Sequence, residues 1–200
     1  MTPFPSLVLV TDRHATEGRE LIAVVTAALD AGLPAVQLRD KDLPGRQLFA
    51  LAEQLRAATT RTGALLFVND RIDVALAVGA DGVHLGGTSV PVAVARTLVG
   101  PGGLIGVSTH TAGELRALLG ADFAFYGPVY ATPGKTAVGP AALAAAVGAA
   151  ALPVLAIGGI TARELPAVRR AGAHGVAVIR AILGAPDPAA STRELVAALG

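Results

Sequence analysis

Short apolar runs recur along this chain, and almost every one ends in residues able to do chemistry. Leu7–Val10 runs into Thr11-Asp12-Arg13, and Ala35-Val36 into Gln37-Leu38-Arg39-Asp40-Lys41. Leu65–Val68 runs into Asn69-Asp70-Arg71, Gly82-Val83 into His84, and Leu104–Val107 into Ser108-Thr109-His110. Phe123–Tyr126 precedes Gly127-Pro128 and a loop ending at Lys135, Val154–Ile157 precedes Gly158-Gly159, and Val176–Ile179 precedes Arg180. Short, wholly apolar runs bounded by polar clusters read as parallel strands buried on both faces. Helical spacing fills the gaps, as at Phe49, Leu51, Ala52 and Leu55. Eight such units predict an α/β fold, a (β/α)8 TIM barrel whose site lies at the C-terminal ends of the strands.

The pattern places strands over 7–11, 35–39, 65–69, 83–85, 104–108, 123–126, 154–157 and 175–179. It places helices over 19–31, 46–61, 71–78, 92–98, 112–119, 141–150 and 163–171, with a closing helix over 191–199. Four junctions look alike: Ala31-Gly32, Gly79-Ala80-Asp81-Gly82, Gly120-Ala121-Asp122 and Ala171-Gly172-Ala173. Each reads as a glycine helix stop feeding the next strand. With no break in composition, one barrel domain over residues 1–200 is expected.

Composition narrows the function. The apolar fraction of 52% supplies a large core, and charged or Gly/Pro residues interrupt every apolar run before it reaches membrane-span length. Met1-Thr2-Pro3-Phe4-Pro5 lacks the basic and apolar regions of a secretory signal, so a cytoplasmic protein is expected. Cysteine is absent, which excludes disulfides, thiolate metal ligands and a cysteine nucleophile. A net charge of +1 and 4% aromatics, without a basic block, argue against nucleic acid. Single cations at strand ends suit a small anionic ligand better, and a homo-oligomer is compatible with the composition.

Gly158-Gly159-Ile160 reads as a phosphate loop: paired glycines admit an anion to backbone N–H groups, and the helix after them adds partial positive charge. Gln37, Arg39 and Lys41 alternate, so a continuing strand would turn all three to the barrel mouth, where Arg and Lys together suit a diphosphate. Asn69-Asp70 reads either as a magnesium site carrying ligand phosphates or as a helix cap. Ser108 could bind phosphate or a substrate amine, His110 reads as a surface residue, and His84 as a hydrogen-bonded structural histidine. Thr132-Pro133-Gly134-Lys135 lies in a long mouth loop and is a lid candidate, with Lys135 either neutralising a leaving diphosphate or simply solvated.

Taken in order, these segments resemble the thiamine phosphate synthase / TenI family over essentially the whole chain. The matching stretches are Val36-Gln37-Leu38-Arg39-Asp40-Lys41, Val68-Asn69-Asp70-Arg71, Gly79-Ala80-Asp81-Gly82-Val83-His84-Leu85-Gly86, Gly106-Val107-Ser108, Gly127-Pro128-Val129 through Lys135, and Ala156-Ile157-Gly158-Gly159-Ile160. The resemblance implies a transferase of thiamine biosynthesis. It would join hydroxymethylpyrimidine diphosphate to a thiazole phosphate and release pyrophosphate, with magnesium as cofactor and small phosphorylated substrates as partners. It implies that Gln37, Arg39, Lys41, Asn69 and Lys135 bind the pyrimidine diphosphate, that Asp70 ligates magnesium and that Ser108 lies near the pyrimidine. Thr132 and Gly159, with Gly158, would meet the thiazole phosphate.

The chain departs from the synthase pattern at Ser89, where a second metal-binding aspartate is usual. It departs again at Gly134, where threonine is usual, and at Arg180, where a serine commonly contacts phosphate. Arg180 could make that contact more strongly. The runner-up is a TenI-type thiazole tautomerase, which needs no metal, although the histidine tied to that catalysis falls at Pro128. A non-catalytic phosphate-binding or regulatory barrel is the third reading.

Overall fold

The computed structural model describes residues 4–200. Eight strands form a closed barrel in chain order: β1 (Leu7–Val10), β2 (Ala35–Leu38), β3 (Leu65–Asn69), β4 (Gly82–Leu85), β5 (Leu104–Thr109), β6 (Phe123–Tyr126), β7 (Val154–Ile157) and β8 (Gly175–Val178). Every neighbouring pair is parallel, and β8 closes on β1 with Val176 opposite Leu7 and Val178 opposite Leu9. Helices α1 (Leu21–Asp30), α2 (Gly45–Thr62), α3 (Ile72–Ala77), α4 (Val92–Val99), α5 (Ala112–Ala117), α6 (Gly139–Ala149) and α7 (Leu165–Arg170) follow the first seven strands in turn. After β8 come a four-residue α8 (Arg180–Leu183) and α9 (Pro188–Leu199).

The period-2 alternation of each strand divides the core in two. Leu7, Leu9, Val36, Leu38, Leu66 and Val68 point outward and pack under the helices. Val8, Val10, Ala35, Phe67, Phe123, Phe125, Leu155 and Ala177 fill the barrel interior. Phe67 and Phe123 are fully buried there, with ring centroids 5.1 Å apart. Both faces of the sheet are thus dry, which is why the strands read as unbroken apolar runs.

Two of the four look-alike junctions are carboxylate staples at the barrel base. Asp81 accepts from Leu66 N at 2.7 Å and from Arg56 Nη1 at 2.8 Å. Asp122 accepts from Ile105 N at 2.7 Å and from Arg96 Nη2 at 2.5 Å. Each ties the start of one strand to the turn before the next and to the helix that precedes the first strand, α2 for Asp81 and α4 for Asp122.

Several element ends shift by a residue or two, as at α1, α5 and α7, and three departures have an evident physical cause. Strand two stops at Leu38, not at residue 39, because the Asp40 carboxylate accepts from Asp42 N at 2.9 Å and Leu43 N at 3.0 Å and curls the chain into a turn. The last helix starts at Pro188, three residues before the expected start at 191: Asp187 accepts from Ala190 N at 2.9 Å, and proline suits a first helical turn. The short helix α8 and a 3-10 turn at Arg13–Ala15 were not expected, since neither is long enough to show a period. Among the described residues, no helix is long and apolar enough to cross a membrane.

Candidate active site

The inward series of the barrel changes from apolar to polar at its C-terminal end. Gln37 lies two residues beyond Ala35 on β2, and Asn69 two beyond Phe67 on β3. On β4, inward His84 stacks near Phe125, with centroids 4.2 Å apart. On β5, Ser108 reaches it, with Oγ 2.9 Å from His84 Nε2. A chain of hydrogen bonds links β2 and β3 to the β3–α3 loop. Gln37 Nε2 donates to Asn69 Oδ1 at 3.0 Å, and Asn69 Nδ2 donates to Asp70 Oδ2 at 2.7 Å. The carboxylate can only accept, so it orients both amides and leaves buried Gln37 Oε1 as an acceptor without a protein partner.

Asp70 sits at φ 60°, a left-handed conformation that Asp tolerates better than most residues. Its Oδ1 accepts from Gly86 N at 3.2 Å and from the Ser89 hydroxyl. The helix-cap reading of Asn69-Asp70 is therefore corrected: Arg71 occupies the cap position of α3, with no side-chain cap bond. Among the described residues, no cluster of three or more His, Asp or Glu side chains could hold a metal. One carboxylate, Asp70, supplies one anionic ligand, a donor set that would suit magnesium only with ligand phosphate oxygens completing its shell.

Two adjoining hollows open at this end. One, of about 220 Å³, is lined by Asp12, His14, Arg39, Asp40, Lys41 and Asp42. The other, of about 280 Å³, is lined by Asp40, Lys41, Leu43, Leu48, Asn69, Asp70 and Arg71. Lys41 does not continue the strand alternation, because β2 has already ended; it is exposed in the turn, yet shares a hollow with Arg39 and another with Asn69 and Asp70. Arg13 Nε holds Asp40 at 2.8 Å, with Asp40 nearly buried, and so anchors the turn that carries Lys41. Arg13, Asp40 and Arg71 stand in the strand-end clusters of the sequence but were given no site role there. Only their position beside strand-end residues could have signalled them.

The other expected residues lie on the far side of the mouth. The β6–α6 loop is pinned to the end of β7, with Val129 N donating to Ile157 O at 2.9 Å and Tyr130 N to Gly158 O at 3.0 Å. Its tip is a tight turn in which Lys135 N donates to Thr132 O at 3.1 Å. Lys135 and Gly134 are exposed, and Thr132 Oγ1 is buried without a partner. Gly159, at φ 64°, lies under this loop: a Cβ there would come within 2.7 Å of Ala131 O. The expected helix N-terminus beside Gly158-Gly159 is corrected. Helix α7 begins only at Leu165, and Glu164 Oε2 already accepts from Thr161 N at 3.0 Å and from its hydroxyl. Arg180 opens α8 and is exposed. Exposed His110 faces α5: its N donates to Glu114 Oε2 at 2.6 Å, and its Nδ1 lies 3.8 Å from the same oxygen.

Charge completes the picture. Among the described residues, the side chains of Arg39, Lys41, Lys135 and Arg180 make no ion pair. These four cations belong to the strand ends or mouth loops of one barrel face, and Arg39 and Lys41 share their hollow with Asp12, Asp40 and Asp42. Burial holds His84 neutral by pushing its pKa down to about 3; Asp70 opposes that shift and Arg39 assists it.

Fold and site together define a (β/α)8 barrel whose mouth is lined by charged and polar side chains of both signs. The family model for thiamine monophosphate synthase matches residues 7–182. A Geobacter sulfurreducens protein is 52% identical, covering 97% of this chain and 94% of its own length. A thiamine-phosphate synthase of Roseiflexus castenholzii is 47% identical, covering 96% of this chain and 89% of its own. The solved structure of a thiamine phosphate pyrophosphorylase from Pyrococcus furiosus is 37% identical with a TM-score of 0.90, covering 97% of this chain and 95% of that one. The chain belongs to the thiamine monophosphate synthase family.

Proposed function

We propose that this protein is a transferase that couples hydroxymethylpyrimidine diphosphate to a thiazole phosphate and releases pyrophosphate. The observation that carries the reading is that Lys41 shares one hollow with Arg39 and the adjoining one with Asn69 and Asp70, in a chain of this family. In the reaction, the bond between the pyrimidine methylene carbon and the diphosphate oxygen breaks, and its electron pair leaves with pyrophosphate. The thiazole nitrogen lone pair then forms the new bond to that carbon.

The protein's task is to hold both partners and to stabilise departing negative charge. Arg39 and Lys41 face the diphosphate from one side of the mouth, and Lys135 reaches it from the loop tip. Gln37 and Asn69, pre-oriented by Asp70, present fixed polar atoms to the pyrimidine half. Ser108 meets the pyrimidine from β5. Thr132, Gly158, Gly159 and Arg180 bind the thiazole phosphate opposite. Asp70 would hold magnesium, and the ion would supply positive charge against the departing pyrophosphate.

The test supplies purified protein with each substrate alone and both together, with and without magnesium. Pyrophosphate release that requires both substrates is expected. Proton shifting on a carboxythiazole phosphate without any coupling would assign the tautomerase activity instead.

A further inference from the structure

We propose that His84 is a positioning residue that fixes the Ser108 hydroxyl as a hydrogen-bond donor into the barrel mouth. The ring is 1% exposed, and it is held between Phe125 and Phe123, with centroids 4.2 Å and 5.7 Å away. Nε2 lies 2.9 Å from Ser108 Oγ, and Nδ1 is buried with no partner. Nδ1 faces Gly106, where a Cβ would stand only 2.6 Å from it and 2.2 Å from the Phe123 ring. The glycine is what leaves room for the histidine in this orientation.

The two neutral tautomers are unequal here. A proton on Nδ1 would bury an N–H donor with no acceptor. A proton on Nε2 leaves only a bare lone pair, the less costly vacancy. Nε2–H therefore donates to Ser108 Oγ. The oxygen's own proton then has to point elsewhere, and Ser108 is partly open to the mouth. Among the described residues, Ser108 Oγ has no side-chain partner except His84. Its O–H is free to meet an acceptor atom on a ligand, such as a ring nitrogen or an anionic oxygen. With the other tautomer, Ser108 would spend its proton on His84 and offer only lone pairs to the mouth. His84 thus decides the sign of the hydrogen bond that Ser108 can make.

The kinetic half of the test rests on the proposed coupling reaction, and the spectroscopic half does not. Long-range ¹H–¹⁵N correlation spectra of histidine-labelled protein, assigned with His84→Gln, should show His84 as the Nε2–H tautomer. Its Nε2 resonance should move in Ser108→Ala. In coupling assays, Ser108→Ala and His84→Leu should each lower kcat about tenfold, the size of one well-placed hydrogen bond. The double variant should lose no more than either single one. His84→Gln, whose amide nitrogen can stand in for Nε2, should recover most of the loss. An Nδ1–H tautomer in the wild-type protein, or losses that multiply in the double variant, would overturn the proposal. Absence of coupling in the wild type would overturn the proposed reaction and leave the tautomer to decide this inference.

Discussion

Asp70 combines a left-handed backbone with a carboxylate that orients two amides and meets Ser89. Replacing it separates these duties. Asp70→Asn keeps a residue that tolerates positive φ and should stay within about 1 kcal/mol of wild type in urea unfolding. Asp70→Ala should cost about 2 kcal/mol, from backbone strain and the lost acceptor for Asn69 Nδ2 and the Ser89 hydroxyl. Equal stability of the two variants would show that the backbone is not strained. Ser89→Asp would set a second carboxylate against the first. It should raise magnesium affinity, whereas the wild type should bind magnesium measurably only with pyrophosphate present. Calorimetry with and without pyrophosphate checks this, and tight binding to the unliganded wild type would contradict it. The sequence showed Asn69-Asp70 as a polar strand end. Cap and metal ligand both fit it, because the partner that chooses between them, Ser89, lies 19 residues away.

The β2–α2 turn shows how an element carries residues to a site that a strand cannot reach. The alternation of Gln37, Arg39 and Lys41 was legible, but its continuation past Leu38 was not, because Asp40 bends the chain with backbone contacts only two and three residues ahead. Arg13, on the β1–α1 loop, holds that bend. Its side chain is 39% exposed, so the pair is partly screened, and Arg13→Ala should raise KM for the diphosphate substrate about threefold with little change in kcat. An unchanged KM would mean the turn holds itself. The base staples obey the same logic at the opposite end of the barrel. The likeness of Gly79-Ala80-Asp81 and Gly120-Ala121-Asp122 was visible in the sequence, yet Arg56 and Arg96 lie 25 and 26 residues upstream, beyond any local pattern. Asp81→Ala and Asp122→Ala should each cost about 1–3 kcal/mol in urea unfolding, because each strands a backbone N–H and a guanidinium. Their effects should add, since the staples share no partner.

At the scale of the whole molecule, eight evenly spaced repeats of a short apolar run, each ending in polar residues, pointed to closure, because a (β/α)8 barrel buries both faces of all eight strands and brings their C-terminal ends to one mouth. The mouth was legible as a set of strand ends; the loop that leans on Gly158 and Gly159 was not, since its contacts run between different units. One buried group couples global stability to pH. His84 titrates near its ordinary 6.5 when unfolded and near 3 when folded, so the unfolded chain binds the extra proton between those values. This contribution is fully present above about pH 6.5 and drains away toward pH 3, at up to about 1.4 kcal/mol per pH unit. Between pH 6.5 and pH 5, the wild type should lose about 2 kcal/mol more than His84→Gln in urea unfolding. Parallel pH profiles would show that His84 is protonated in the fold. The pairing of β8 with β1 carries a consequence for biosynthesis. Until the ribosome has released Gly175–Val178, the first and seventh strands each lack a neighbour. The emerging polypeptide is then an open, apolar sheet with two sticky margins, and that interval is when a chaperone has most to protect.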